Sequence, residues 1–267
     1  MIPRVIHQTW KTKALDAKLQ EWTSSWKKLN PTWQYKLWDD QDCERFIAQH
    51  YPQLQEAYKS LSPVQRADLF RYAVLATEGG FYADIDAVCS APLDSFLKPD
   101  DELVVGIEAE PPAPNRGYVY PVQYCQWAMG GRAKHPALER AVEVTVHNVR
   151  NQKNLKSQWH QSAPHTSPND EKNWQTIMMT GPGAWTQAIA AGLERGEPIR
   201  VLRECAFGVN WFNKQRCPKK TVYVEHQYLG SWKGGLNTQQ RLSLVALVLV
   251  VVLASMILFF CANKGKR

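Results

Sequence analysis

The chain has 267 residues, of which 44% are hydrophobic, so it can bury a sizeable core in one large domain or two small ones. Its formal net charge is +7, but five basic residues and no acid follow Trp232, which leaves only +2 on residues 1–232. A folded domain with so little excess charge lacks the concentrated basic face typical of nucleic-acid-binding proteins, and we exclude that class.

Short apolar runs alternate with helical stretches along residues 1–232, and this pattern predicts one α/β domain. No internal repeat interrupts the pattern. In chain order, the predicted strands are RVIHQTW (4–10), WQYKLWDD (33–40), the segment around Asp84 and Asp86, ELVVGIE (102–108) and YVEHQYLGSW (223–232).

Capping residues mark the helices between these strands. Ser62 and Pro63 supply an N-cap and a first-turn proline, and the Gly79-Gly80 pair ends the helix that they start. Further helices are predicted to begin near His135-Pro136 and after TGPG (180–183), with a proline-rich loop at 111–121 and a polar, mobile loop at 151–173.

Residues 242–261, LSLVALVLVVVLASMILFFC, carry no charge and can cross a hydrocarbon core of roughly 30 Å as a helix. A basic tail follows at 262–267, and the positive-inside tendency places such a tail in the cytoplasm. We therefore expect one membrane helix after a linker at 233–241, with residues 1–232 in a lumen. Because the N-terminus lacks the charged and apolar regions of a signal peptide, a cytosolic domain with a tail anchor is the alternative.

The segment GGFYADIDAV (79–88) places two carboxylates, Asp84 and Asp86, inside an apolar run. Burying an unpaired carboxylate is costly, so both need a cation, a hydrogen-bond network or water. In an extended strand these two side chains would face one ligand together, while Ile85 turns into the core. Two such oxygen ligands suit Mg²⁺ or Mn²⁺ bound to phosphates, although Asp-x-Asp pairs are also common in surface turns.

A second pair of charges lies in the preceding helix. Apolar residues point in nearly every direction over residues 64–77, as is typical of a buried helix. Asp68 and Arg71 are three positions apart on one face, so we expect both to be enclosed. Two interpretations stay open, namely a structural ion pair, or the lining of a pocket for a hydroxylated or phosphorylated ligand.

The segment RADLFRYAVLATEGGFYADID (66–86) resembles the signature of glycosyltransferase family 32, and IPRVIHQTW (2–10) is similar to the opening strand of that family. The resemblance implies a GT-A-like nucleotide-sugar-binding domain over residues 1–232, with a Rossmann-like mixed sheet flanked by helices. Three later segments resemble the family's branch of fungal initiating α-1,6-mannosyltransferases: QWAMGGRAKHPALERAV (126–142), TGPGAWTQAI (180–189) and EHQYLGSWK (225–233).

The resemblance also implies a role for each candidate residue. Asp84, Asp86 and His226 would bind Mn²⁺ or Mg²⁺, whereas Asp68 and Arg71 would contact the sugar and phosphate of the donor. The ordinary alternative for His226 is packing in the core. The remaining donor contacts implied are His7, Gln8 and Trp10 at the base and ribose, and Ser231 and Trp232 at the phosphate.

The function implied is metal-dependent, retaining transfer of mannose from GDP-mannose to a glycan or glycolipid acceptor at a Golgi or other secretory membrane. A UDP-sugar donor is the alternative within the family. Outside the family, FYADIDAV (81–88) also fits the first motif of haloacid-dehalogenase phosphatases, although no GDxxxD follows it, and a non-catalytic sugar-binding protein is a further alternative. The six cysteines include no CxxC pair and indicate neither a zinc site nor a redox centre.

Overall fold

The computed structural model describes residues 1–110, 120–153, 168–207 and 216–230. Met1–Tyr228 pack as one unit, and of a second unit, Leu229–Arg267, residues 229 and 230 are described. Across these ranges, no helix is both long and apolar enough to span a membrane. The predicted span 242–261, its linker and its basic tail lie outside the described residues.

One mixed sheet organises the described part of the domain, with strand order β2-β1-β3-β6-β5-β7. Strand β1 pairs in parallel with β2 and β3, β6 pairs antiparallel with β3 and β5, and β7 pairs in parallel with β5. Strands β4 and β8 form a separate antiparallel pair. The strands are β1 (Val5–Thr9), β2 (Gln34–Trp38), β3 (Gly80–Ala83), β4 (Ala87–Cys89), β5 (Leu103–Ala109), β6 (Gln123–Gly131), β7 (Ile199–Leu202) and β8 (Val224–His226).

Helices cover both faces of the sheet, because alternate strand residues point to opposite sides. Tyr82 and Met129 belong to the core under helices α2, α4, α5 and α7, and Phe81 and Ala128 to the core under α1 and α8. The predicted mixed sheet flanked by helices is therefore confirmed. The helices are α1 (Ala17–Leu29), α2 (Asp40–His50), α3 (Gln55–Ser60), α4 (Pro63–Glu78), α5 (Pro136–Arg150), α6 (Pro168–Met179), α7 (Pro182–Glu194) and α8 (Glu204–Phe207).

Helix α4 begins and ends where its capping residues predict. The Ser62 amide donates to Gln65 Oε1 (3.0 Å) at the start of the helix, and Gly79 ends the helix with φ +70°. Gly80 follows with φ +108°, and a Cβ there would lie 2.5 Å from the Val5 carbonyl oxygen. This close approach lets β3 pair beside β1 and leads the chain directly into the two aspartates.

The structure corrects two predicted elements. Strand β3 ends at Ala83, so Asp84 and Asp86 lie in a turn before β4 and not within one extended strand. Helix α6 begins at Pro168, inside the segment 151–173 that the sequence predicts as a loop. Pro168 is tolerated in a first helical turn, where its missing N–H has no partner to lose. Residues 154–167 of that segment lie outside the described ranges.

Candidate metal centre

Asp84 and Asp86 lie in the turn that joins β3 to β4. The Ala87 amide donates to the Asp84 carbonyl (3.0 Å) and closes the turn, while the Asp84 amide donates to the Trp127 carbonyl on β6 (2.8 Å). Ile85 is 5% exposed and packs against α1, as predicted. The turn therefore brings the two carboxylates together. The sequence predicted this proximity from the pleat of a strand, which was wrong.

His226 comes to these aspartates through the small second sheet. Strand β8 pairs with β4 so that His226 lies opposite Ala87, next to the turn. Its Nε2 atom lies 3.2 Å from Asp86 Oδ1. One ligand atom from each of Asp84, Asp86 and His226 lies within 4.8 Å of the others. Asp84 and His226 are 142 positions apart along the chain. The predicted proximity of the three side chains is confirmed.

The donor set of this cluster fits a divalent ion. Two carboxylates and an imidazole are the ligand types that Mn²⁺ accepts, and Mg²⁺ accepts the carboxylates readily. The Nδ1 atom of His226 is buried and has no hydrogen-bond partner among the described residues. The Nε2 atom, which faces Asp86, is therefore the nitrogen of this ring that is available to a metal ion.

Arg71, on helix α4, forms an ion pair with the Asp84 carboxylate. Its Nη1 atom lies 3.0 Å from Asp84 Oδ1 and also donates to the Gln126 carbonyl (3.1 Å), and its Nη2 atom lies 3.1 Å from Asp68 Oδ1. The guanidinium lies over the ring of Tyr82, 4.9 Å from its centroid. Burial works to lower the pKa of Arg71, but the Asp84 and Asp68 carboxylates hold that pKa above its ordinary value. Arg71 is therefore a permanent cation.

Asp68 lies at the far end of this ionic network. Its two carboxylate oxygens accept hydrogen bonds from Gln126 Nε2 (2.9 Å) and Thr180 Oγ1 (2.7 Å), in addition to the contact with Arg71. Burial raises its pKa, against the opposing influence of Arg71 and Thr180. The expected enclosure of Asp68 and Arg71 is confirmed, and the structure shows the ion pair. Their contact with a donor stays a prediction.

His7 and Gln8 support the site from inside the sheet. The His7 ring is fully buried, with Nε2 3.0 Å from the Gly79 carbonyl and Nδ1 accepting from the Trp38 indole (3.1 Å). Burial lowers the pKa of His7 to about 4. The Gln8 side chain donates to the Asp84 carbonyl (2.9 Å). The polar side-chain atoms of both residues are paired within the protein, and their contacts with a donor stay predictions.

Three further residues are implied as donor contacts, namely Trp10, Ser231 and Trp232. Trp10 is half-buried and packs with the cluster around Ile85. Ser231 and Trp232 lie outside the described residues. The contacts of all three with a donor stay predictions.

Several residues around the site were missed in the sequence. Tyr82 donates to Asp84 Oδ1 (2.9 Å) from β3, and its place two residues before Asp84 in the sequence is the signal that could have found it. Gln126, Trp127 and Thr180 belong to segments quoted for the family resemblance, but no local pattern distinguishes them from core residues. Cys205 and Cys217 form a disulfide, which residue spacing does not predict.

Sequence comparisons match this chain to a family whose description names a DXD motif. Residues 16–103 match the family model described as "Glycosyltransferase sugar-binding region containing DXD motif". The initiation-specific alpha-1,6-mannosyltransferase of Schizosaccharomyces pombe is 29% identical over 87% of this chain, and that of Candida albicans is 30% identical over 86%. The chain spans 64% and 72% of the lengths of these two relatives.

A solved structure supports the fold. The ligand-free glycosyltransferase domain of the YGT toxin superposes with a TM-score of 0.52, covering 75% of this chain and 80% of that domain, at 8% sequence identity. At this identity the likeness concerns the fold alone, which is the GT-A-like arrangement of a mixed sheet and helices.

Proposed function

Because the chain belongs to the family of glycosyltransferases whose sugar-binding region contains a DXD motif, we propose that it transfers mannose from GDP-mannose to a glycan or glycolipid acceptor. Similarity to two relatives named alpha-1,6-mannosyltransferases supports the choice of sugar and an α linkage in the product. A UDP-sugar is the alternative donor.

The observation that carries this proposal is the cluster of Asp84, Asp86 and His226, whose ligand atoms lie within 4.8 Å of one another. These three side chains would hold a divalent ion, Mn²⁺ or Mg²⁺, which would supply positive charge against the negative charge that develops on a departing diphosphate. The protein's own part is to present the carboxylates in a fixed orientation. Arg71, Tyr82 and Gln8 do this by binding the side chain or the backbone of Asp84.

The same geometry supports a retaining route without a protein nucleophile. Asp84 and Asp86 belong to the metal cluster, and both oxygens of Asp68 are hydrogen-bonded inside the protein. None of these three carboxylates is therefore placed to form a covalent bond with the sugar. We accordingly propose that the leaving phosphate accepts the proton of the attacking hydroxyl. That hydroxyl approaches the sugar on the face from which the phosphate departs.

A donor screen tests the proposal. Hydrolysis and transfer are measured with GDP-mannose, UDP-galactose and UDP-N-acetylglucosamine, with and without Mn²⁺, on the wild-type chain and on Asp86→Asn. We expect turnover of GDP-mannose that a chelator abolishes and that Asp86→Asn lowers by at least about a hundredfold. The control is Asp94→Asn, which removes an exposed carboxylate paired with Arg4 and keeps full turnover.

The outcomes separate the alternatives. Full activity of chelator-washed protein would remove the metal from the proposal, and preference for a UDP-sugar would change the donor. Turnover of no nucleotide sugar, together with binding of free sugar, would identify a sugar-binding protein. Release of phosphate from a simple phosphomonoester would favour the phosphatase alternative.

We further propose that residues 242–261 anchor the protein in a Golgi or other secretory membrane, with the catalytic domain in the lumen. The basic tail at 262–267 supports this orientation. The Cys205–Cys217 disulfide supports it independently, since disulfides persist in oxidising compartments. Protease treatment of sealed vesicles tests the topology, because a lumenal domain is protected and a cytosolic domain is digested.

A further inference from the structure

Trp127 contacts both halves of the Asp84–Asp86–His226 cluster. Its carbonyl oxygen accepts the hydrogen bond from the Asp84 amide (2.8 Å). Its indole ring lies parallel to the His226 imidazole, with a centroid distance of 4.7 Å and an interplanar angle of 8°. One residue of β6 thus joins the turn that carries the aspartates to the strand that carries the histidine.

The imidazole needs this support because the usual support is absent from the described residues. A metal-binding histidine ordinarily donates its second ring nitrogen to a carboxylate, a carbonyl or water, and this hydrogen bond fixes the ring. His226 Nδ1 has no such partner in the described part of the chain. The plane of the ring is therefore set by its stacking on Trp127 and by the edge contact with Tyr228, at a centroid distance of 4.1 Å.

Trp127 is itself held rigidly. Its side chain is buried, and the indole N–H donates to the Phe207 carbonyl at the end of helix α8 (2.9 Å). The Cys205–Cys217 disulfide and a hydrogen bond from the Tyr223 amide to the Ala206 carbonyl (2.9 Å) tie α8 to the chain that leads into β8. An aromatic ring fixed at its N–H has little freedom to rotate away from its neighbour.

We propose that Trp127 is a positioning residue of the metal centre, which orients the His226 imidazole toward Asp86 by stacking on it. This inference rests on the proposed function, since it takes the cluster to be a metal site. It assigns Trp127 a role that acts through His226 and Asp84. The predicted consequence is a change in metal affinity, independent of any sugar transfer.

The experiment measures binding of Mn²⁺ alone to the full chain, by calorimetry or by the loss of the free Mn²⁺ paramagnetic resonance signal. Trp127→Met fills the space without a flat ring and should weaken binding about tenfold, in the range typical of residues that support metal ligands. Trp127→Phe keeps a ring but loses the N–H, and should weaken Mn²⁺ binding about threefold. Compared with Trp127→Met, the ring of Phe should thus recover part of the Mn²⁺ affinity.

Trp185 provides the matched control. It is also buried, its indole N–H donates to the Cys125 carbonyl (3.1 Å), and it stacks on Tyr72 at an interplanar angle of 7°. Trp185→Met and Trp185→Phe should lower the unfolding temperature by amounts similar to the Trp127 variants and leave Mn²⁺ affinity unchanged. A general loss of packing would instead weaken binding equally at both positions.

Each outcome decides the inference. Wild-type affinity in Trp127→Met, or an equal loss in the Trp127 and Trp185 variants, overturns it while leaving the metal site intact. Absence of Mn²⁺ binding in the wild-type chain overturns the proposed metal centre itself. If Trp127→Met does not fold, Trp127→Phe decides, because its affinity must fall about threefold while that of Trp185→Phe does not.

Discussion

Arg71 Nη1 lies 3.0 Å from Asp84 Oδ1, so a cation on a buried helix orients the first aspartate of the metal cluster. The Arg71 side chain is 6% exposed and the Asp84 side chain 24%, which places this contact at the boundary between the core and the site. The buried charges of helix α4 thus stabilise the fold and present a ligand at the same time.

Replacement of Arg71 by methionine should strongly destabilise the protein. The change leaves the Asp68 carboxylate buried without its cation, and breaking a buried ion pair from one side costs about 3–5 kcal/mol. Urea unfolding measures the loss. Arg4→Met is the control, because the Arg4–Asp94 pair is exposed and its loss should cost less than about 1 kcal/mol. Equal costs for the two variants would contradict this account of α4.

Removal of the Tyr82 hydroxyl should weaken metal binding. Tyr82→Phe deletes the hydrogen bond to Asp84 Oδ1, so the carboxylate loses one of its two fixed partners. We expect a loss of stability of about 1 kcal/mol and a fall of a few-fold in Mn²⁺ affinity.

Tyr51→Phe is the matched control for that variant. The Tyr51 hydroxyl is hydrogen-bonded to Thr77 Oγ1 (3.0 Å), near the C-terminal end of α4 and six residues beyond Arg71. Its removal should cost a similar free energy of unfolding without changing Mn²⁺ affinity. Identical Mn²⁺ affinity in Tyr82→Phe and wild type would show that the hydroxyl does not position Asp84.

Burial of His7 predicts a loss of stability in acid. The pKa of His7 falls from 6.5 to about 4 in the folded chain, so between these values the unfolded chain binds a proton that the folded chain does not. The stabilisation is therefore fully present above about pH 6.5 and is lost as the pH falls toward 4. The whole effect amounts to roughly 3 kcal/mol.

Comparison of wild type with His7→Gln isolates this contribution. His135, whose pKa burial also lowers, adds a loss of the same sign in both proteins. Urea unfolding at pH 7.5 and pH 5 should show that wild type loses about 2 kcal/mol more than the variant over this interval. Equal losses in the two proteins would mean that His7 is charged in the folded state.

The Cys205–Cys217 disulfide should stabilise the domain. A crosslink between residues 12 apart restricts the unfolded chain by an amount worth about 2–3 kcal/mol. Thiol reductant should lower the unfolding free energy of wild type by that amount. It should leave the Cys205→Ala/Cys217→Ala variant unchanged, since the other cysteines described, Cys43, Cys89 and Cys125, are free and buried. A reductant effect in this double variant would point to another cause.

The sequence alone determined the features that depend on neighbouring residues. Ser62, Pro63 and Gly79 set the ends of helix α4, and the apolar residues on all sides of that helix predicted the burial of Asp68 and Arg71. Caps and periodicity act within one or two turns, so they can be recognised without knowledge of the rest of the chain. The family resemblance added His226, which no local pattern identifies.

Tertiary structure decided the features that depend on pairing between distant segments. The register of β4 with β8 places His226 beside Asp86, and that of β3 with β6 places Trp127 against Asp84. A turn at Asp84 replaced the predicted strand, closed by the Ala87 amide and held in place by hydrogen bonds from Gln8 and to β6. His7 became a buried support for the same physical reason: sheet register fixes which side chains meet, and local propensity does not encode register. The pairing of Cys205 with Cys217 also depends on tertiary structure, because residue spacing does not predict it.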